Sequence, residues 1–276
     1  MGTTSLTHEV ARLIEDICND RVHGATFLAR EALRALALAA EALPQRKGQV
    51  PRSAALQEVD QRLANARPAM ASIKNVVARF LREMESREEG FDPHTLEREL
   101  LEEMEAASRE AARKAADLVD EGARVLTCSY SSAVLRTFKE ALAQGRKFSV
   151  AAMESLAGQM AYGRVLLEDL SALGIPAALV PDEAISEAGV WHGAPVHADM
   201  ALVGADKLLR GGGIVNGWPT LRVAEWARGI IPFYVVCETY KLDSDPSTED
   251  GFDLVPGHLI TAVFADTRPA WYPSGL

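Results

Sequence analysis

Apolar positions follow two rhythms along the chain, and the change falls near Ala123. From residue 5 to about 120, hydrophobic side chains recur at spacings of three and four. Leu6, Val10, Leu13, Ile14 and Ile17 share one helical face. Ala25 to Leu43 reads as an Ala/Leu-rich helix, stopped near Pro44 and the polar stretch 45–53. Further helices are predicted over Ala55–Leu63 and Ala69–Met84. A long charged one over Leu96–Val119 follows Pro93, a residue suited to a first helical position. Its acidic run is read as a solvated face.

After Ala123 short apolar runs alternate with helix-like segments. RVLTC, KFSVAAM, PAALVP, MALVGAD, PFYVVCE and ITAVFAD read as buried strands. Segments such as SSAVLRTFKEALAQG and GRVLLEDLSALGI between them carry the 3.6-residue period. Strand–helix alternation implies right-handed crossovers and a mainly parallel, doubly wound sheet. The expected class is α/β, with a helical domain over 1–122 and a sheet domain over 123–276. Ligands of such sheets sit at the carboxyl ends of strands. Those ends, Thr127–Ser132, Glu154–Gln159, Asp182, Gly204–Lys207 and Glu238–Lys241, are rich in polar residues.

Composition narrows the choice. The chain has 276 residues, a net charge of −10 and a sequence pI near 5.2. An acidic surface argues against nucleic-acid binding but leaves room for a local basic pocket. Cys18, Cys128 and Cys237 form no Cys-x-x-Cys pair, so no disulfide framework is expected and a reducing cytoplasm is. The first residues carry charges at helical spacing and no apolar signal core, and no run reaches the ~20 apolar residues of a membrane span. No partner in a membrane is expected. His192 and His197 sit in a Gly/Pro-containing connection without metal-ligand spacing, so no metal site is expected. GGGIVNG at 211–217 does not open the sheet domain as a dinucleotide fingerprint would; it reads as a turn, and no cofactor is expected.

Several motifs, in order, resemble the translation initiation factor 2B alpha/beta/delta-subunit family, which includes methylthioribose-1-phosphate isomerase and ribose-1,5-bisphosphate isomerase. Arg21-Val-His-Gly24-Ala25 is similar to its Arg-x-x-Gly-Ala turn, and Arg67-Pro-Ala to its Arg-Pro-Thr-Ala. Leu126-Thr-Cys-Ser-Tyr-Ser131 stands where the isomerases carry Leu-Thr-His-Cys-x-Ser, and Glu154-Ser155 is what remains of a Glu-Thr/Ser-Arg-Pro motif. Gly204-Ala-Asp206 and Glu238-Thr-Tyr-Lys241 match family motifs, and Asn216 and Thr220 match a third that has lost its lysine.

The resemblance implies a Rossmann-like sheet domain, a homodimer or higher homo-oligomer, and a phosphorylated sugar or nucleotide as ligand. Two functions follow from it. The expected one is a cofactor-free aldose–ketose isomerase of a phosphorylated pentose, such as ribose 1,5-bisphosphate or methylthioribose 1-phosphate; the alternative is a non-catalytic regulatory subunit that binds a sugar phosphate or nucleotide. The isomerase reading assigns proton transfer to Asp206 with Cys128 or Ser129. Asp206 is otherwise a helix N-cap after a strand. The family's cysteine falls on Ser129, a hydroxyl that needs an activating base; Cys128 lies one residue early and is otherwise a packing residue. Arg21, Gly24, Arg67, Ser131, Glu154, Asn216 and Lys241 fall on substrate-binding positions. Guanidinium forks and an ammonium suit phosphate, although each of the three cations can equally be solvated or structural. Trp218 replaces an aliphatic residue beside Asn216 and narrows any pocket there. Trp226, Ile230 and Phe233 are compatible with a symmetric dimer patch or with core.

Overall fold

The computed structural model describes residues 6–43, 53–88, 90–186, 192 and 197–267. Pro44 and residues 45–52 of the polar stretch expected to end the second helix lie outside them. The chain forms two compact units, Met1–Glu105 and Ala106–Leu276.

The first unit contains α1 (His8–Asn19), α2 (Ala25–Glu41), α3 (Ala54–Ala64), α4 (Ala71–Ser86) and the start of α5 (Pro93–Ala116). Their starts are written locally. Thr7 Oγ1 accepts the Val10 amide at 3.3 Å, Ser53 Oγ accepts that of Leu56 at 3.2 Å, and Pro93 is the first residue of α5 as expected. The alanines of α2 let α4 approach, so Ser72 Oγ of α4 donates to the Ala25 carbonyl at 3.0 Å. Leu28, Leu33, Leu56, Leu63, Ile73 and Phe80 fill the core. Burying a side chain of this size stabilises by roughly 1.5–3 kcal/mol.

In the second unit the strands are β1 (Arg124–Thr127), β2 (Ser149–Met153), β3 (Leu156–Ala157), β4 (Met160–Ala161), β5 (Ala177–Val180), β6 (Met200–Val203), β7 (Lys207–Leu209), β8 (Ile214–Gly217), β9 (Phe233–Val236), β10 (Leu242–Asp243), β11 (Phe252–Val255) and β12 (Ala262–Phe264). The helices are α6 (Ser132–Ala143), α7 (Tyr162–Ala172) and α8 (Thr220–Ala227). All six apolar runs read as strands enter one parallel sheet, ordered β12-β9-β6-β1-β2-β5. Strand order reverses between β1 and β6, which sets a crevice at their carboxyl ends.

Both sheet faces are covered. Val125, Val150, Leu202 and Tyr234 pack with Phe138 and Leu166 of α6 and α7; Leu126, Ala201, Val203 and Val235 pack with Val223 and Ala227 of α8. A second sheet, β10-β7-β8-β11, was not evident in the sequence. The segment read as a glycine turn supplies both a turn and a strand: Gly212 and Gly213 take φ of 86° and 99° between β7 and β8. Trp226 and Phe233 are core, so of the expected surface patch only Ile230 is exposed. No described helix is long and apolar enough to cross a membrane.

Candidate functional site

Strand alternation decides where Cys128 points. Leu126 and Cys128 share one face of β1 and its extension, and both join the core beneath α8. Cys128 is 1% exposed, and its Sγ lies 3.3 Å from Thr220 Oγ1. Thr220 Oγ1 also accepts from Asn216 Nδ2 at 2.9 Å and donates to the Gly217 carbonyl at 2.5 Å. A hydroxyl has one proton and two lone pairs. Its proton goes to Gly217 and one lone pair to Asn216, so the thiol must be the donor. Burial pushes the Cys128 thiol up to about 12, with Asp253 and Asp182 adding to the rise. The residue presented at the strand end is therefore Ser129, not Cys128.

Ser129 takes φ 60°, a left-handed conformation that side chains other than glycine rarely adopt. Its amide donates to Ser155 Oγ at 2.7 Å. Its own hydroxyl occupies the space over Gly217, where a Cβ would come within 2.5 Å of it. Ser131 caps α6, accepting the Val134 amide at 3.4 Å, and fills the space over Gly204, where a Cβ would meet its Oγ at 2.2 Å. Gly204 and Gly217 are thus needed for close approach at the switch point. Tyr130 turns away and donates to Asp169 Oδ2 of α7 at 2.8 Å.

Glu154, at the end of β2, pairs with Arg164 of α7 at 2.9 Å. Asp206 lies between β6 and β7, so the alternative of a helix N-cap does not hold; its amide donates to Val215 O at 2.9 Å. Its carboxylate is close enough to act on Lys241, whose Nζ lies 2.9 Å from Glu238 Oε2, both side chains nearly inaccessible. Burial opposes both charges of that pair, yet each partner outweighs it: Lys241 is raised and Glu238 lowered from its ordinary value.

The first unit holds Arg21, Gly24 and Arg67. Arg21 donates to the carbonyls of Cys18 and Asp20 at 2.9 and 2.8 Å, and buried Arg67 also donates to the Asp20 carbonyl. The Asp20 carboxylate accepts the Val22 and His23 amides at 2.8 and 2.7 Å, and lies 2.7 Å from His23 Nδ1. Partial burial would raise its pKa, but hydrogen bonds from His23 and Val22 hold it below the ordinary carboxylate range. The turn ends at Gly24, the extended residue before α2. Two guanidiniums thus gather beside a helix N-terminus, an arrangement suited to an anion.

Sequence reasoning did not assign roles to Thr220, Ser155, Asp182 or Asp253. Asp253 accepts the Leu221 amide at 3.0 Å, and burial pushes its carboxyl up. The available signal was position: Asp182 and Ser155 both follow strands of the parallel sheet. Among the described residues, no group of three or more His, Cys, Asp or Glu side chains could hold a metal ion.

The initiation factor 2 subunit family model matches residues 21–252. A putative translation initiation factor eIF-2B subunit 2-like protein of Pyrococcus horikoshii is 30% identical over 98% of this chain and 95% of its own. A ribose 1,5-bisphosphate isomerase of Archaeoglobus fulgidus is 29% identical over 84% of this chain and 72% of its own. The crystal structure of the Pyrococcus horikoshii translation initiation factor eIF-2B superposes with a TM-score of 0.78, at 26% identity over 95% of this chain and 96% of that one. The chain belongs to the initiation factor 2 subunit family.

Proposed function

We infer that this protein binds a phosphorylated sugar or nucleotide without converting it, and serves as a regulatory member of its family. One observation carries the reading. Thr220 fixes Cys128, at the end of β1, as a buried S–H donor, and a serine stands at the strand end. A thiol held near 12 is neither a thiolate nor a ready proton donor at neutral pH. A serine hydroxyl at the strand end in place of a cysteine has no useful acidity near neutral pH without an activating base. In the first unit, Arg21 and Arg67 supply guanidiniums suited to a phosphate.

A second reading, aldose–ketose isomerase, is favoured by Asp206, which stands beside buried Lys241 at the end of β6. The test offers ribose 1-phosphate, ribose 1,5-bisphosphate, methylthioribose 1-phosphate and AMP, scored by thermal shift and by phosphorus NMR of the incubated mixture. Binding without new phosphate resonances is expected. Conversion that Asp206→Asn abolishes would replace this reading with the isomerase; no binding at all would remove both. Self-association as a homodimer is part of the proposal, and light scattering that gives only monomer at micromolar concentration would remove it.

A further inference from the structure

Among the described residues, two that are not glycine have a left-handed backbone, Ser129 at φ 60° and Ser155 at φ 53°. They stand at the carboxyl ends of the neighbouring strands β1 and β2 and are bonded to each other. Such a conformation is strained and persists only where its surroundings over-determine it. Here the surroundings are a chain of three strand ends. Ser155 Oγ gives its proton to the Met153 carbonyl at 3.3 Å, which leaves a lone pair for the Ser129 amide at 2.7 Å. The Ser155 turn is held in its turn by Asp182, at the end of β5: its two oxygens accept the amides of Ser155 at 2.8 Å and Leu156 at 2.9 Å. Ser155 is fully buried and Asp182 is 4% exposed.

Core packing does not explain the arrangement. A turn that had only to connect β1 to α6 would take glycine at 129 without strain. What the chain of bonds does fix is the direction of the Ser129 hydroxyl, over Gly217 and beside the first turn of α6. It also commits the Ser129 amide, so that a ligand there meets the hydroxyls and the amides of α6's first turn instead.

We propose that Ser155 and Asp182 are positioning residues that hold the Ser129 loop in its ligand-receiving form. The proposal rests on the phosphate-binding reading above. Ser155→Gly tests it, because glycine keeps the left-handed backbone at no steric cost and removes the hydroxymethyl group that makes the bond. Two measurements are made: amide hydrogen exchange of residues 128–134 in the ligand-free protein, and affinity for ribose 1,5-bisphosphate. The expected result is exchange at least tenfold faster in that segment and affinity at least tenfold weaker, with the melting temperature within a few degrees of wild type. Asp182→Asn, which keeps one acceptor oxygen, should move both in the same direction by less. Unchanged exchange in Ser155→Gly would overturn the clamp. Faster exchange with unchanged affinity would reduce it to a structural contact and equally overturn the proposal. A wild type that does not bind ribose 1,5-bisphosphate fails differently: it removes the ligand reading, and the positioning role with it, whatever the exchange rates show.

Discussion

Two turns in this molecule lead into a helix N-terminus, and they are built on opposite principles. At the α1–α2 turn the polar groups lie largely at the surface: the guanidiniums of Arg21 and Arg67 meet at the Asp20 carbonyl, and the Asp20 carboxylate lies beside His23 Nδ1. At the β1–α6 turn the groups are neutral and interlocked: Cys128, Thr220 and Asn216 form one cluster, Ser129 and Ser155 another. The first turn attracts an anion by charge, which solvent and salt weaken. The second offers shape and hydroxyl direction, fixed by buried hydrogen bonds that are costly to break. The two turns are built independently, each within its own unit, and substitutions can disturb each alone.

The largest effect is expected at the neutral cluster. Thr220→Val keeps the volume but strips a hydroxyl that serves three partners, leaving the Cys128 thiol, the Asn216 amide and the Gly217 carbonyl to find others. Each buried group left unsatisfied costs about 1–3 kcal/mol. A loss of about 2–4 kcal/mol in urea unfolding is expected; a loss below about 1 kcal/mol would mean that the cluster is looser than its geometry. Next comes the charged turn. Arg67→Ala should weaken binding of ribose 1,5-bisphosphate by about tenfold or more, since a charge-assisted hydrogen bond contributes roughly 1.5–3 kcal/mol. Arg21→Ala, at an exposed side chain, should weaken it less. Raising salt should erode the affinity of wild type more than that of Arg67→Ala. Equal affinities would place the anion elsewhere.

Cys128→Ala sharpens the comparison from the other side. It removes one donor from Thr220 and a small buried volume, so a stability loss of about 1 kcal/mol is expected. Ligand affinity should stay within twofold of wild type by calorimetry. A large fall in affinity would show that the thiol reaches the ligand.

These differences also explain what could be read from the sequence. Strands of the parallel sheet are continuous apolar runs, so all six were legible, as was the helical period before Ala123. The second sheet was not, because β7 (KLL), β8 (IVNG), β10 (LD) and β11 (FDLV) mix polar residues or glycine into their runs, and glycines 211–213 lie between β7 and β8. At the site, Arg21 and Arg67 were legible because motif and charge coincide in single residues. The burial of Cys128 was legible only as one of two faces; deciding between them needed the register of β1 against α8. Ser155 and Asp182 were least legible. Their part depends on bonds between residues 26 and 27 positions apart, which no local pattern announces.

The smallest effect expected tests whether the charged turn is held by the Asp20 carboxylate. Folding lowers the Asp20 pKa from its ordinary 3.8: burial raises it, but the bonds from His23 and Val22 prevail. A depressed carboxylate contributes stability that is present above the unfolded value and is lost as pH falls through the folded one. The contribution should therefore be complete at neutral pH and disappear below about pH 3.8. Asp20→Asn keeps an oxygen acceptor for the backbone amides but loses the charge that faces His23 Nδ1. Its cost should be about 0.5–1.5 kcal/mol at pH 7, the net worth of one hydrogen bond. The chain carries 39 Asp and Glu residues, so wild-type acid unfolding alone decides nothing. The difference between wild type and Asp20→Asn isolates the one group. Urea unfolding at a series of pH values should show the two curves converging as pH falls below about 3.8. A constant gap down to pH 2 would mean that the carboxylate's charge plays no part, and that the turn is fixed by Arg21 and Arg67 on the Asp20 carbonyl alone.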